Sequence, residues 1–374
     1  MPKIVLAMSG GVDSSVAAEL LLREGHQVVG LFMRHECSGP RDEADARSVA
    51  EKLGIPLHVV SFRDDFQEIV EYFVTEYTSG RTPNPCAVCN AKIKFRKFID
   101  FADSVGAEFV ATGHYARILS KEPEMECSAI SGSDGSVFRH LSRSADCAAL
   151  HPRLFKSVDA TKDQSYVLFG IRREILPRLI FPLGNFLKSE IRQIAEEIGL
   201  PVARKKDSQE ICFVPEKDHA KFVREYLAHR GTSDEIQKPA AEFVMTDGKV
   251  VGRHEGIEKY TVGQRKGLGL AFGEPRYVVR LERETNRVVL GTYAELAREW
   301  LEAAGANWLI PPPQEIFSCE VKIRYRTPAV PATVTPGENG AFRVDFAAPV
   351  HGVAPGQAVV CYDGERVLGG GWIQ

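Results

Sequence analysis

The chain has 374 residues, 44% of them hydrophobic and 26% charged, with a net charge of −3. This is the composition of an ordinary globular protein with room for about two or three domains, and no run of about 18 apolar residues exists to span a membrane. The amino terminus reads as a strand with one lysine rather than a signal peptide, so the expected compartment is the cytoplasm and no membrane contact is expected; the eight cysteines (37, 86, 89, 127, 147, 212, 319 and 361) then read as thiols, metal ligands or catalytic groups rather than structural disulfides.

In chain order, Ile4–Met8 reads as a strand that enters a Ser9-Gly10-Gly11-Val12-Asp13-Ser14 turn, and Ser14–Arg23 follows as an amphipathic helix closed by Gly25. The turn lacks the Gly-Lys-Ser/Thr ending of a Walker loop and the spacing of a dinucleotide turn. Its physics is related. Two glycines let backbone N–H groups approach an anion, and the helix start adds partial positive charge. Ser9, Ser14 and Ser15 supply hydroxyls, and Asp13 is placed to cap the helix or hold a magnesium ion. Such a loop suits the pyrophosphate of a nucleotide and resembles that of the N-type ATP pyrophosphatases.

The βα rhythm continues through strand Val28–Met33, helix Asp42–Leu53, strand Leu57–Ser61, helix Phe66–Tyr77, helix Ala91–Val105 and strand Phe109–Thr112. A parallel sheet with helices on both faces follows, with the ligand at the carboxyl ends of its strands, so Leu31-Phe32-Met33 and the first loop line one nucleotide pocket. Residues 118–150 break the rhythm and read as an excursion or long hairpin. Helical pattern resumes at Gln164–Ile175 and Lys188–Ile198. Short β-rich runs follow at Phe243–Met245, Val250–Val251, Tyr277–Leu281, Val288–Leu290, Glu320–Tyr325, Ala332–Val334, Ala341–Phe346 and Ala358–Tyr362, the pattern of small barrels. The expected domains are 1–210, 211–282 and 283–374.

Two further segments carry chemistry. In Thr82-Pro83-Asn84-Pro85-Cys86-Ala87-Val88-Cys89-Asn90 a stiffened approach leads into a helix. Cys86 and Cys89 near that helix start are expected to have lowered thiol pKa values. A lone CxxC pair is open to readings as half a zinc site, a redox pair or part of an iron–sulfur ligand set. In Lys205-Lys206-Asp207-Ser208-Gln209-Glu210-Ile211-Cys212-Phe213 one cysteine sits between apolar neighbours, and the two lysines upstream favour its thiolate. Lys92, Lys94, Arg96 and Lys97, interleaved with Ile93, Phe95 and Phe98, suit either a solvated helix face or an RNA-facing one.

The loop, the Asn84–Asn90 segment and the Asp207–Phe213 segment, in that order, resemble the bacterial tRNA-specific 2-thiouridylases. The likeness continues through Ala111-Thr112-Gly113-His114-Tyr115, Lys162-Asp163-Gln164-Ser165-Tyr166, Phe181-Pro182-Leu183-Gly184 and Tyr260–Gly269. It ends with Lys322-Ile323-Arg324-Tyr325-Arg326 and Pro355-Gly356-Gln357. The resemblance implies an ATP pyrophosphatase domain (adenine nucleotide alpha hydrolase-like), a small central domain and a C-terminal β-barrel that binds tRNA. It implies an enzyme, a tRNA-uridine 2-sulfurtransferase that replaces the 2-oxygen of the wobble uridine with sulfur. ATP with Mg2+ would adenylate the uridine and release pyrophosphate.

By the same resemblance Ala7, Met8, Ser9, Gly10, Gly11, Val12, Asp13, Ser14, Met33 and Gly113 bind ATP. Cys212 carries a persulfide delivered by a sulfur-relay protein, and Cys89 releases that sulfur, leaving a Cys89–Cys212 disulfide. Asn84, Pro85, Cys86, His114, Lys162, Asp163, Gln164, Arg324, Tyr325 and Gln357 contact tRNA or shape the site. The chain departs from the family's pattern in three places. Cys86 stands where some members carry an acid, so Cys86, Cys89 and Cys212 offer three corners of a 4Fe–4S cluster as an alternative sulfur route. Glu210 stands where many have Gly, and the excursion between Arg117 and Asp159, with Cys127 and Cys147, exceeds the usual hairpin. The competing functions are a pyrophosphatase that adenylates a small substrate, which would need neither Cys89 nor Cys212, and a tRNA-binding protein without catalysis.

Overall fold

The computed structural model describes residues 1–35, 40–120, 151–207, 211–214, 218–231 and 241–374. Cys37, Cys127, Cys147, Ser208, Gln209, Glu210 and most of the 118–150 excursion lie outside the described residues.

The first unit alternates as read. Strands β1 (Lys3–Ala7), β2 (Gln27–Arg34) and β3 (Leu57–Ser61) are separated by helices α1 (Val12–Arg23) and α2 (Pro40–Leu53), and α3 (Arg63–Thr78) follows. Next come α4 (Pro85–Cys89), a π-helical turn (Asn90–Lys94), α5 (Phe95–Ser104) and β4 (Phe109–Thr112). A hairpin of β5 (Ala116–Leu119) and β6 (Arg153–Lys156), the short β7 (Leu179–Ile180), α6 (Lys188–Glu197) and α7 (His219–His229) complete it. The sheet order is β3-β2-β1-β4-β7, all parallel. Both faces are covered, and the period of two along β1 shows how. Ile4 and Leu6 enter the core shared with α1, α2 and α6, whereas Val5 enters the core shared with α3 and α5. The strand order reverses between β1 and β4, which puts the loop after β1 at the crevice where such sheets bind ligands.

Strands β8 (Ala241–Met245), β9 (Val250–His254), β10 (Tyr277–Glu282) and β11 (Arg287–Gly291) form a four-stranded central sheet ordered β10-β11-β8-β9. The expected boundary at 282 falls in the turn of its β10–β11 hairpin. The last unit contains β12 (Ala297–Trp308), β13 (Phe317–Lys322), β14 (Val330–Pro336), β15 (Phe342–His351), β16 (Ala358–Asp363) and β17 (Arg366–Ile373). Here β12 pairs with both β15 and β17 and closes the six strands into a barrel.

The barrel is stitched to the first unit at several points. The β5–β6 hairpin joins its sheet through Phe155 opposite Arg366, and the Lys156 N–H donates to the Glu365 carbonyl at 2.8 Å. On the other side the Thr82 N–H donates to the Pro355 carbonyl at 2.8 Å, and the Asn307 amide donates to the Phe169 and Ile171 carbonyls at 2.6 and 2.9 Å.

Two expectations are corrected. Gln164–Ile175 is not a helix but a pair of 3-10 turns, Ser165–Leu168 and Arg173–Arg178. Tyr166, Leu168, Phe169 and Ile171 are all buried, too many directions for one helical stripe, and an ideal Cβ at Gly170 would meet the Ala91 Cβ at 2.7 Å. The expected strand Glu320–Tyr325 runs Phe317–Lys322, because Ile323 turns out of the ladder into the barrel core.

Candidate functional site

The loop after β1 is built by its own hydroxyls. The Ser14 Oγ donates to the Gly11 carbonyl at 3.2 Å, the Ser15 Oγ to the same oxygen at 2.7 Å, and the Ser9 N–H to the Ser14 Oγ at 3.1 Å. Gly10 is obligatory: its φ is +71°, and a Cβ there would lie 2.2 Å from the Asp42 carbonyl oxygen. Gly11 is the N-cap of α1 and brings no side-chain cap, so the helix start keeps the donors and partial positive charge that fit a phosphate. Gly113, just beyond β4, packs flush on that turn, with an ideal Cβ only 2.9 Å from the Ser14 nitrogen. Met33 packs beside the sheet at the end of β2.

Asp13 does not cap the helix. Its carboxylate accepts from the Tyr115 hydroxyl at 2.8 Å and from the Lys188 ammonium at 2.6 Å. Lys188 also pairs with Asp207 at 3.0 Å, and Asp207 further receives Lys162 at 2.9 Å and Arg192 at 2.6 Å. Against the opposing effect of burial, Lys162 and Lys188 hold the Asp207 carboxyl below its ordinary range. Lys205, expected beside Cys212, turns instead to the loop: it donates to the Gly10 carbonyl at 3.0 Å and pairs with Asp42 and Asp45 at 2.8 and 2.6 Å.

The cysteine segment opens with Asn84, whose side chain accepts from the Ala87 N–H at 3.2 Å and caps α4; the buried Pro85 occupies the first turn. Cys86 is exposed, Cys89 buried and Cys212 exposed. The π-helical turn that follows ends at Lys94, whose charge acts on Cys89, Cys86 and Cys212, and also on His35 and His114. The expected thiolate at the helix start is therefore corrected. Burial pushes the Cys89 thiol up, and Lys94 pulls it down. Cys212 is held by its neighbour: the ring of buried Phe213 lies 5.6 Å from Phe66, 5.0 Å from Phe73 and 5.4 Å from Phe222. His114 sits between the two halves of the site. Its Nδ1 meets the Thr112 hydroxyl at 2.7 Å, and burial, then Lys94, pushes its pKa down to about 3.

Among the described residues no three His, Cys, Asp or Glu side chains are gathered to hold a metal ion. Cys86, Cys89 and Cys212 are therefore not gathered as a cluster ligand set in this arrangement.

Several residues expected at the RNA surface face inward. Asp163 accepts from the Ser157 and Ser165 N–H groups and the Ser165 hydroxyl at 3.0, 3.2 and 2.7 Å. The Gln164 Oε1 accepts from the Tyr115 N–H at 2.9 Å. The Arg324 guanidinium donates to the Gly352 carbonyl at 3.0 Å and to the Val262 carbonyl at 2.6 Å, tying the barrel to the central sheet. The Gln357 amide donates to the Thr82 and Pro83 carbonyls at 3.1 and 3.0 Å, bracing the segment that carries Asn84 and Cys86. Tyr325 remains 38% exposed, its ring 6.3 Å from Tyr166.

Sequence reasoning missed Lys188 and Tyr115, and it placed Lys94 on a helix face. One signal for Lys188 was present: a lysine as the first residue of a helix opposes the macrodipole, so something other than helix stability keeps it there.

Family models cover most of the chain: a tRNA methyl transferase HUP domain over 2–216, a tRNA methyl transferase PRC-barrel domain over 220–292 and an aminomethyltransferase beta-barrel domain over 298–373. Fold and loop thus define a nucleotide-binding HUP protein with two β modules. Relatives named tRNA-specific 2-thiouridylase MnmA match along the whole length. That of Rhodopirellula baltica is 42% identical, covering 100% of this chain and 96% of its own. Those of Solibacter usitatus and Acetivibrio thermocellus are 43% identical, covering 99% and 100% of this chain and 99% of theirs. The chain belongs to the tRNA-specific 2-thiouridylase family. An NMN synthetase from Francisella tularensis overlays 60% of this chain and 76% of its own at 15% identity, with a TM-score of 0.34. No described helix is long and apolar enough to cross a membrane.

Proposed function

We propose that this protein is a tRNA sulfurtransferase that converts the wobble uridine of tRNA to 2-thiouridine at the expense of ATP. The observation that carries this reading is the junction at Gly113-His114. Gly113 lies against the phosphate loop, and the adjoining His114 feels the same Lys94 charge as all three cysteines, which supports one recess for nucleotide and sulfur chemistry. A pyrophosphatase acting on a small substrate would have no need of that second half.

In the first step the uridine 2-oxygen attacks the α-phosphorus of ATP, the bond to pyrophosphate breaks, and an O-adenylated uridine forms. The uncapped first turn of α1 stabilises the charge that develops on the departing pyrophosphate. Asp13 is the loop carboxylate that would hold a magnesium ion accompanying ATP, which would offset phosphate charge there. In the second step Cys212 carries a persulfide from a sulfur-relay protein. The Cys89 thiolate attacks the inner sulfur, the outer sulfur leaves as hydrosulfide and adds to C2 of the uridine, and AMP departs. A Cys89–Cys212 disulfide remains, which a thiol reductant returns to two thiols. Neutral His114 lines this recess as a hydrogen-bonding group rather than a cation. Cys86 and Tyr325, both open to solvent, face the incoming base. Lys162, Asp163, Gln164, Arg324 and Gln357 act from behind, as the frame.

The persulfide route is supported over the cluster because the three thiols do not converge as a ligand set among the described residues. Single Cys→Ser variants decide between them. Cys89→Ser and Cys212→Ser are expected to stop 2-thiouridine formation, with a persulfide persisting on Cys212 in the first. Cys86→Ser retains activity and no iron is lost. Equal loss at all three positions together with loss of bound iron and acid-labile sulfide, after anaerobic purification, refutes the route.

A further inference from the structure

We propose that Lys188 is a ligand of the ATP phosphates, held on Asp13 until nucleotide arrives. The inference rests on the ATP reading above and adds a residue to that site.

Lys188 is only 8% exposed, and its head lies at the loop, 2.6 Å from the Asp13 carboxylate at the start of α1. A buried cation at a helix start is costly unless it serves something there, since both burial and the helix macrodipole oppose it. Three features fit a head that changes partners. First, each of its carboxylates has another donor. Without Lys188, Asp13 keeps the Tyr115 hydroxyl at 2.8 Å, and Asp207 keeps Lys162 and Arg192 at 2.9 and 2.6 Å. Neither is left as an unpaired buried charge when Lys188 turns away. Second, the base of the residue is fixed: the Lys188 N–H donates to Asp159 at 2.9 Å, and the ammonium lies 5.7 Å from the centre of the Tyr115 ring. The backbone can stay in place while only the flexible stem moves. Third, the Tyr115 hydroxyl and the Lys188 ammonium share one Asp13 oxygen, Oδ1, so Lys188 is the second donor at that atom and an anion on the loop competes for it directly. Lys205, like Lys188, meets two carboxylates, but its head also donates to the Gly10 carbonyl of the loop itself, and it acts as a brace there.

The test uses the full-length chain with magnesium pyrophosphate or magnesium ATP alone, without tRNA or a sulfur donor, in titration calorimetry. Lys188→Met and Lys188→Gln both remove the charge, and the glutamine keeps a donor for Asp13 if the methionine variant does not fold. Loss of one charge-assisted contact is expected to weaken pyrophosphate binding by about 10- to 100-fold, with Lys188→Arg restoring most of it. Adenosine binding and the melting temperature of the glutamine variant stay near those of the parent, which a merely structural role would not reconcile with lost pyrophosphate. A folded neutral variant that binds pyrophosphate as the parent does overturns the inference. A parent that binds neither ATP nor pyrophosphate overturns the ATP reading instead.

Discussion

Replacing Arg324 with alanine separates an interior role from an RNA-facing one. The guanidinium makes two hydrogen bonds, to the Gly352 and Val262 carbonyls at 3.0 and 2.6 Å, and it lies among Gly263, Gly352 and Tyr166 rather than in open solvent. Hydrogen bonds from a charged donor contribute about 1.5–3 kcal/mol each, and the truncation also leaves two inward-facing carbonyls unpartnered. Some relief comes from water entering the gap, so the expected cost is about 2–4 kcal/mol. The loss should appear as a lower urea midpoint at unchanged slope, concentrated in the contact between central sheet and barrel. Filter binding of tRNA across a salt series gives the second readout. A residue that neutralises one phosphate contributes about one unit to the dependence of log affinity on log salt, and an inward-facing arginine contributes nothing. Arg324→Ala is therefore expected to lose stability while the salt slope stays put. An unchanged urea midpoint together with a slope reduced by about one would refute the reasoning and make Arg324 a phosphate contact.

Gly10→Ala places a Cβ 2.2 Å from the Asp42 carbonyl in a left-handed backbone, so the loop and α2 must part; ATP-dependent thiolation should fall below about 1% of the parent while tRNA binding changes less than about three-fold, measured by labelled-sulfur incorporation and filter binding. His114 binds its proton more weakly folded than unfolded, its pKa moving from about 6.5 down to about 3. The unfolded chain thus takes up more protons in that window, and His114 makes the fold less stable as pH falls from about 6.5 toward 3. Thermal melts across this range should show His114→Asn less acid-sensitive than the parent, and equal slopes would mean that His114 titrates normally.

The first unit was legible because its signals are local and of one kind. The alternation of Ile4, Val5 and Leu6 across a sheet buried on both faces leaves a short apolar run, and the glycines after it mark the loop. The barrel strands were legible only where β-branched residues dominate, as in β16. Its longest strand, β12, reads Ala-Arg-Glu-Trp-Leu-Glu-Ala-Ala-Gly-Ala-Asn-Trp, a helix-favouring composition that the ladder to β15 and β17 overrides. Helix α7 was missed beside residues whose character had already shifted toward β. Within the site, the phosphate loop and the cysteine segments announced themselves by residue type. Lys94 and Lys188 did not, because a lysine in a polar stretch looks solvated until the fold shows what lies opposite. The spacing also could not foresee the π-helical turn that ends at Lys94.

The seams between barrel and catalytic unit bear on how a substrate enters. The barrel is fastened on one side through the β6–β17 pairing and on the other through Pro355 and Gln357 on the cysteine segment. Swinging the barrel outward would tear Thr82 and Pro83 from their partners and displace Asn84 and Cys86 with them. A molecule fastened in this way is a socket rather than a jaw. On the proposed function the burden of adjustment then falls on the nucleic acid, whose target base turns outward to reach the recess.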